Sequence, residues 1–263
     1  EIVEPLVEAV LFDDFEGVPF EPGEPGTTLM SDFPNDLYFS QQWHYMKISL
    51  PQAWDISKGS GDVKVGIIDQ GADPNHPDQA ANWGNGFIGN TLGDGQWAVG
   101  KHGCHTGGTI AAVNNNGEGV CGIAGGDGSP NSGCKLYCGM VFRSGMGGMG
   151  FDTATIWAAD EGIAVLNNSW GYLGPDYIPQ AVADAIDYFL EYGGGDVLQG
   201  GLYVASAGNS NKHENLYPAA YPGVLSVAAT DKNDIKTYYS TYNDRVGISA
   251  PGGDMRYAAN EGI

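Results

Sequence analysis

The sequence predicts an α/β fold in which a mostly parallel sheet carries helices on both faces. Short segments rich in Val, Ile and Ala alternate with segments of helical periodicity, the pattern of parallel sheets that are covered on both sides. The 42 glycines among 263 residues follow no three-residue period and indicate many tight turns and close backbone approaches. Functional residues of such folds lie at the carboxyl ends of the strands.

The elements follow one another along the chain in this alternating order. Val- and Ala-rich segments predict strands over residues 62–69, 135–142, 163–170, 202–208 and 224–230. Between them, helices are predicted over residues 105–113, 152–162 and 178–192. In the last helix, Ile178, Val182, Ile186 and Leu190 share one face, and Gly193 ends it.

Residues 1–32 differ from the rest of the chain. They are rich in acidic residues and proline and show no period, and a Pro/Gly linker signal lies over residues 22–26. We expect an acidic N-terminal extension or the remnant of a processed leader, followed by one domain over residues 33–263. The chain begins at Glu1 without Met, which favours prior processing.

The composition excludes some classes of function. A net charge of −21 argues against a nucleic-acid partner, because phosphate binding needs a basic surface. The sequence contains no apolar run of membrane-spanning length.

The four cysteines do not form a disulfide framework for a chain of this size. We expect buried free thiols at Cys104, Cys121, Cys134 and Cys138, and their spacing does not suggest zinc.

Asp69 and His102 are the first candidates for chemistry. Asp69 ends the first predicted strand, and His102 stands before a helix in "KHGCHTGGTIAA". Alone, Asp69 would be a turn residue before Gly71, and His102 would be structural. Together they predict a carboxylate that orients an imidazole to act as a general base.

Five motifs extend this pair to a known family. "VGIIDQG", "HGCHTGGTIAA", "NNSWG", "ASAGN" and "YPAAYPGVLSVAA" come in the order and rough spacing of subtilisin-like serine proteases. The resemblance covers about residues 34 to 252. It implies a subtilisin-like three-layer fold and a serine endopeptidase that cleaves protein or peptide substrates.

The resemblance implies a role for each matching residue. Asp69 and His102 correspond to the triad aspartate and histidine, in the chain order of subtilisin, and Asn209 corresponds to the side-chain donor of the oxyanion hole. His105 resembles a structural histidine of the family, and His76 is expected to be a turn residue. The substrate-binding residues implied are Ser169, Trp170 and Gly171 on one wall of the P1 pocket, Ser206, Ala207 and Gly208 on the other, and Leu216 at its floor.

Further features follow from the same resemblance. Leu216 stands where many relatives have glycine, which implies a shallower pocket and smaller P1 residues. The glycine-rich loop over residues 143–151 resembles the family's second substrate-binding edge, with a merely flexible loop as the alternative. Asp78 and Asn115, the latter within a loop over residues 114–119, resemble a structural Ca²⁺ site. This loop is one residue longer than is usual in the family, and an ordinary polar turn is the alternative.

The sequence departs from the family in two places. Cys104 stands where the family usually has threonine; it is not expected to be the nucleophile. No Gly-Thr-Ser nucleophile motif occurs, since "ISAPGGDM" occupies residues 248–255 and the sequence stops at Ile263. We therefore expect a domain that is incomplete at its C-terminus and inactive alone, with the serine on a separate or missing C-terminal polypeptide.

Two classes of function follow. The first is a secreted, cell-surface or periplasmic endopeptidase, complete only with its C-terminal fragment. The alternative is an inactive pseudoprotease that binds peptides, and Asp69, His102 and Asn209 argue against it because inactive relatives commonly lose one of the three. A different hydrolase on the same fold is the remaining option.

Overall fold

The computed structural model describes residues 33–172 and 176–256. The predicted extension over residues 1–32 lies outside the described residues. None of the helices in the described part is long and apolar enough to cross a membrane.

A seven-stranded parallel sheet forms the centre of the described chain. Its strands are β1 (Lys64–Asp69), β2 (Trp83–Ile88), β3 (Lys135–Met140), β6 (Val165–Asn168), β7 (Leu202–Ser206), β8 (Leu225–Thr230) and β9 (Val246–Pro251). They lie in the order β2-β3-β1-β6-β7-β8-β9. A short antiparallel hairpin, β4 (Phe142–Arg143) with β5 (Gly147–Gly148), follows β3.

Helices cover the sheet from both sides. The longer helices α3 (Lys101–Ala111), α4 (Phe151–Asp160) and α5 (Gln180–Tyr192) form these two layers. The short helices α1 (Trp43–Lys47) and α2 (Leu50–Trp54) pack instead on Cys121 and Ile123. On one face, α4 and α5 pack on Ile68, Leu166 and Tyr203 of the strands. On the other, α3 packs on strand residues that include Ile67 and Leu136. The α/β fold with a mostly parallel sheet between helical layers is therefore confirmed.

Several element bounds differ from the prediction. The helix predicted from residue 105 begins at Lys101, so His102 lies in its first turn. Gly193 does end α5, where its N–H bonds to the carbonyl of Phe189. The edge strands β2 and β9 were not predicted; β2, for example, carries three exposed residues and two glycines and has no apolar run.

The β6–β9 half of the face that carries α3 is only partly covered. Ile67 pairs with Asn167, and Asn167 pairs with Val204, so Val204 points to the same face as Ile67. A small cluster centred on Val204 and Val227 continues across this face. Around it, Ile248 is 36% exposed, and Val165, Leu202 and Leu225 are half-buried. An apolar surface thus extends beyond the edge of α3.

Candidate active site

Asp69 lies at the carboxyl end of the central strand β1, between β3 and β6. Its side chain is 2% exposed, and Oδ1 accepts a hydrogen bond from the Gln70 N–H at 2.6 Å. The chain then turns at Gly71, whose φ of +95° favours glycine. A Cβ there would lie 2.1 Å from the carbonyl oxygen of Ala98. The turn therefore brings the segment before α3 against the end of β1.

His102 contacts this carboxylate directly. Its Nδ1 lies 2.7 Å from Oδ1 and 2.8 Å from Oδ2 of Asp69, and its side chain is 14% exposed. The contact requires α3 to start very close to β1: the Gly100 N–H donates to Gly71 O at 3.0 Å, and a Cβ on Gly103 would be 2.4 Å from the same oxygen. The glycines of the histidine motif thus permit the close approach.

Cys104 faces the loop that follows Asp69. Its Sγ accepts a hydrogen bond from the Asp73 N–H at 3.3 Å. Burial raises the pKa of the thiol, opposed by this hydrogen bond and reinforced by the charge of Asp73. A thiol with a raised pKa is a poor nucleophile at neutral pH. All four cysteines are free. Cys121, Cys134 and Cys138 are buried as predicted, whereas Cys104 is only partly buried, because it lies against the loop after Asp69.

Residues Ser169 to Gly171 follow β6, the strand next to β1. The Asn167 amide donates to Ser169 Oγ at 3.0 Å, and the Trp170 indole N–H donates to Asn168 Oδ1 at 3.1 Å. The side chains of Ser169 and Trp170 are buried. The next residue, Tyr172, donates its N–H to Tyr217 O at 2.8 Å. Side-chain bonds thus fix the backbone of this predicted wall.

Residues Ser206 to Asn209 follow β7, one strand further along. The Ala207 N–H donates to Val227 O, and Gly208 O accepts from the Thr241 N–H, both at 2.8 Å. Gly208 has a φ of +108°, and a Cβ on it would be 2.6 Å from Leu216 Cδ1. Leu216 therefore packs against the predicted wall.

Asn209 comes next and is half-buried. Asn209 follows β7, which is two strands away from β1 in the sheet. Because neighbouring strands are about 4.8 Å apart, β7 lies about 10 Å from β1, the strand that carries Asp69.

The predicted metal residues lie at the other end of α3. Asp78 is buried and accepts hydrogen bonds from Asn116 Nδ2 at 2.7 Å and from the Val120 N–H at 2.9 Å. Asn115 instead bonds through its N–H to Oδ2 of Asp36, at 2.8 Å. Oδ1 of Asp36 is buried and has no hydrogen-bond partner among residues 33–172 and 176–256.

Asp36 was not predicted, because it precedes the sheet and belongs to none of the motifs. Burial raises the pKa of Asp78, and the nearby charge of Asp36 adds to the rise against the two hydrogen bonds. Asp36 and Asp78 are therefore two buried carboxylates whose negative charges repel each other. Carboxylate oxygens, including the unsatisfied Oδ1 of Asp36, are ligands that suit Ca²⁺.

A cavity of about 970 Å³ lies between α1, α3 and the end of the described chain. Its lining includes Trp43 and His44 of α1, Cys104 and Thr109 of α3, and Met255. The cavity therefore borders the helix that carries His102.

Comparisons with known proteins agree with this arrangement. A model of the Subtilase family matches residues 60–262, so the chain belongs to this family. Thermitase of Thermoactinomyces vulgaris is 37% identical over 228 residues, which are 83% of this chain and 73% of thermitase. A probable subtilase-type serine protease of Deinococcus radiodurans is 36% identical over 230 residues, 79% of this chain but 29% of that protein.

A solved structure has the same fold. A protease from Pseudoalteromonas arctica superposes with a TM-score of 0.70 at 29% identity, covering 87% of this chain and 75% of that one. The subtilisin-like fold inferred from the motifs is confirmed, as is the serine protease family.

Proposed function

We propose that this chain supplies most of the catalytic domain of a serine endopeptidase in which Asp69, His102 and a serine form the triad. The proposal depends above all on the two contacts, 2.7 and 2.8 Å, between His102 Nδ1 and the buried carboxylate of Asp69. A carboxylate in this position holds the proton on Nδ1 and stabilises the imidazolium that forms during the reaction. Proton exchange with the nucleophile then takes place at Nε2.

The steps follow from this arrangement. The serine Oγ attacks the scissile carbonyl carbon, and its proton passes to His102 Nε2. The negative charge that develops on the carbonyl oxygen is stabilised by the side-chain amide of Asn209. His102 then donates its proton to the leaving amine. Water, activated by the same base, hydrolyses the acyl-enzyme.

We propose that the serine lies in a segment that residues 1–263 do not include. The sequence contains no Gly-Thr-Ser motif, and two structural features support a missing packing partner. One is the half-buried apolar surface around Val204 and Ile248, and the other is the cavity beside α3. Met255, next to the last of the described residues, lines that cavity.

The substrate in this proposal is an extended peptide held between two walls. Ser169, Trp170 and Gly171 contribute one wall, and Ser206, Ala207 and Gly208 the other. Leu216 packs on Gly208, so the side chain narrows the P1 pocket and favours small P1 residues.

We also propose a structural Ca²⁺ ion held by Asp36 and Asp78. Oxygen atoms of the loop over residues 113–120, including that of Asn115, are the further candidates for ligands. The bound ion would neutralise the two buried carboxylates and tie the N-terminal segment to this loop. We propose a secreted, cell-surface or periplasmic location for the full protein; a protein of Natrialba magadii that is 29% identical over 239 residues is named as an extracellular serine protease.

The test is hydrolysis of denatured casein by the full-length protein. His102→Ala should lower kcat/KM by about 10³-fold or more, because the general base is lost. His213→Ala is the matched control, since the side chain of His213 is 63% exposed, and it should retain full activity. If the unmodified protein binds peptides but does not hydrolyse them, the proposed endopeptidase activity is wrong, and the protein is better described as a peptide-binding pseudoprotease.

A further inference from the structure

The β4–β5 hairpin is too short and too rich in glycine to be rigid by itself. Each strand has two residues, and Gly145, Gly147 and Gly150 have positive φ angles of 74°, 76° and 76°. An isolated two-stranded ribbon is marginal in water, and glycine loses the most conformational freedom when it is ordered. The hairpin therefore depends on side-chain contacts with other segments of the chain.

Asn90 provides the first anchor. It is fully buried, and its side-chain amide donates to Val141 O at 2.9 Å and to Gly147 O at 3.0 Å. Its Oδ1 accepts the N–H of Leu92 at 3.0 Å. One side chain thus joins both ends of the hairpin to the segment over residues 90–94.

Arg143 provides the second anchor from within β4. One guanidinium nitrogen, Nη1, donates to Leu92 O, and the other, Nη2, pairs with Asp94 Oδ1. The side chain of Arg143 is 10% exposed, although that of Asp94 is 68% exposed. Asn90 and Arg143 are together called the clamp, because they hold the hairpin against residues 90–94 from both of its strands.

The clamped hairpin borders the wall formed by residues 169–171. The ring of Phe142, in β4, lies 6.4 Å from that of Trp170, and the ring of Phe151, just after the hairpin, lies 4.3 Å from it. β3 leads into the hairpin and β6 leads into the wall, with β1 and Asp69 between them. A peptide lying along the wall toward Asp69 would therefore pass beside the hairpin.

We propose that Arg143, together with Asn90, is a positioning residue that fixes this hairpin for binding of an extended peptide. The inference rests on the proposed function. With the clamp in place, the hairpin is ordered when the protein folds, and the peptide does not have to order it on binding. Peptides long enough to reach the hairpin benefit, whereas a single-residue substrate does not.

The clamp acts on binding rather than on proton transfer. The part of the loop nearer His102 has its own anchors: the Trp97 indole N–H donates to Ala72 O at 3.1 Å, and the Gly100 N–H donates to Gly71 O at 3.0 Å. Loss of Arg143 therefore leaves His102 and Asp69 in place.

The test compares two substrates in the full-length protein, a hexapeptide anilide and a single-residue ester. Arg143→Ala should raise KM for the hexapeptide about ten-fold, equivalent to ~1.4 kcal/mol, with kcat and ester hydrolysis unchanged. Asp94→Ala removes only the exposed half of the ion pair and should raise the same KM about three-fold. Arg143→Lys, which cannot bridge two acceptors with a planar fork, should restore only part of the loss.

Arg245→Ala is the matched control. Arg245 is exposed and directly precedes β9, the edge strand on the side of the sheet opposite β3 and the hairpin, so this variant should hydrolyse both substrates at the unmodified rates. The Asp94→Ala variant keeps the test valid if Arg143→Ala does not fold. An unchanged ratio of hexapeptide to ester hydrolysis in both variants would overturn the inference while leaving the proposed function intact. Hydrolysis of neither substrate by the unmodified protein would overturn both.

Discussion

Replacing Gly119 by alanine tests how the buried carboxylate of Asp78 holds the loop over residues 113–120. Gly119 has a φ of +42°, and a Cβ on it would lie 2.0 Å from Asp78 Oδ2 and 2.7 Å from its Cγ. Oδ2 accepts the Val120 N–H at 2.9 Å, and Oδ1 accepts Asn116 Nδ2 at 2.7 Å. Because Asp78 is buried, its carboxylate cannot move away without giving up these bonds.

The magnitude follows from two contributions to the free energy of unfolding. An L-residue in the left-handed region costs about 1–2 kcal/mol, and each hydrogen bond to a charged group is worth about 1.5–3 kcal/mol. Loss of one such bond together with the backbone strain gives about 4 kcal/mol. Gly117→Ala is the matched control, since Gly117 has a φ of +73° and no atom within 4 Å of its Cβ position. That variant carries the backbone strain alone, about 1–2 kcal/mol.

The assay is urea unfolding of the full-length protein, with the active serine blocked by a sulfonyl fluoride to prevent autolysis. The two variants are compared with the unmodified protein, in calcium and in chelator. Gly119→Ala should lower the free energy of unfolding by about 1.5–3 kcal/mol more than Gly117→Ala does, the difference being the lost hydrogen bond to the carboxylate. Equal losses in the two variants would contradict this prediction, because the contact with Asp78 would then not contribute to stability.

Three further predictions concern His44, Leu216 and the proposed metal. Burial, with a smaller contribution from the charge of His105, lowers the pKa of His44 from 6.5 to about 4. Between pH 6.5 and 4 the imidazole is protonated in the unfolded chain but stays neutral in the folded protein. The free energy of unfolding is therefore highest above pH 6.5 and falls by on the order of 3 kcal/mol as the pH decreases toward 4. In urea unfolding from pH 7 to 4, His44→Gln should flatten this dependence, and an equally steep fall would contradict it. Leu216→Gly should shift the preferred P1 residue of a peptide library from small toward large side chains, and an unchanged profile would show that Leu216 does not limit the pocket. Chelation of Ca²⁺ should lower the thermal midpoint of the unmodified protein but not that of Asp36→Asn with Asp78→Asn, whereas equal shifts would place the ion elsewhere.

The sequence predicted the fold and the positions of Asp69 and His102 for physical reasons. Apolar strands such as β1 and β3 carry a strong local pattern, because they are buried on both faces. The histidine motif needs its glycines for the close approach of α3 to Gly71. The motif therefore indicates the packing of α3 on the end of β1 as well as the position of His102. The start of α3 lies four residues before the predicted one, because Lys101 to Cys104 have no distinctive helical period.

Other features could not be predicted, because they depend on contacts between distant segments. Asp36 meets the loop at Asn115 across 79 residues of chain, and no local pattern indicates that pairing. In the sequence, Arg143 is a single charged residue in a glycine-rich loop, and nothing there indicates its contacts with Leu92 and Asp94. For this reason the sequence of the loop over residues 143–151 was compatible with two interpretations, a substrate-binding edge and a flexible loop.

The most direct measurement is labelling of the full-length protein with a fluorophosphonate probe, followed by peptide mapping. The proposed triad predicts one labelled serine, located outside residues 1–263, and labelling slowed by about 10³–10⁴-fold in Asp69→Asn because His102 then holds the wrong tautomer. Asp244→Asn is the matched control, since Asp244 is an exposed aspartate, and it should label at the unmodified rate. A probe adduct on a serine within residues 1–263, or no adduct on protein that still binds peptide, would contradict the proposed catalytic centre.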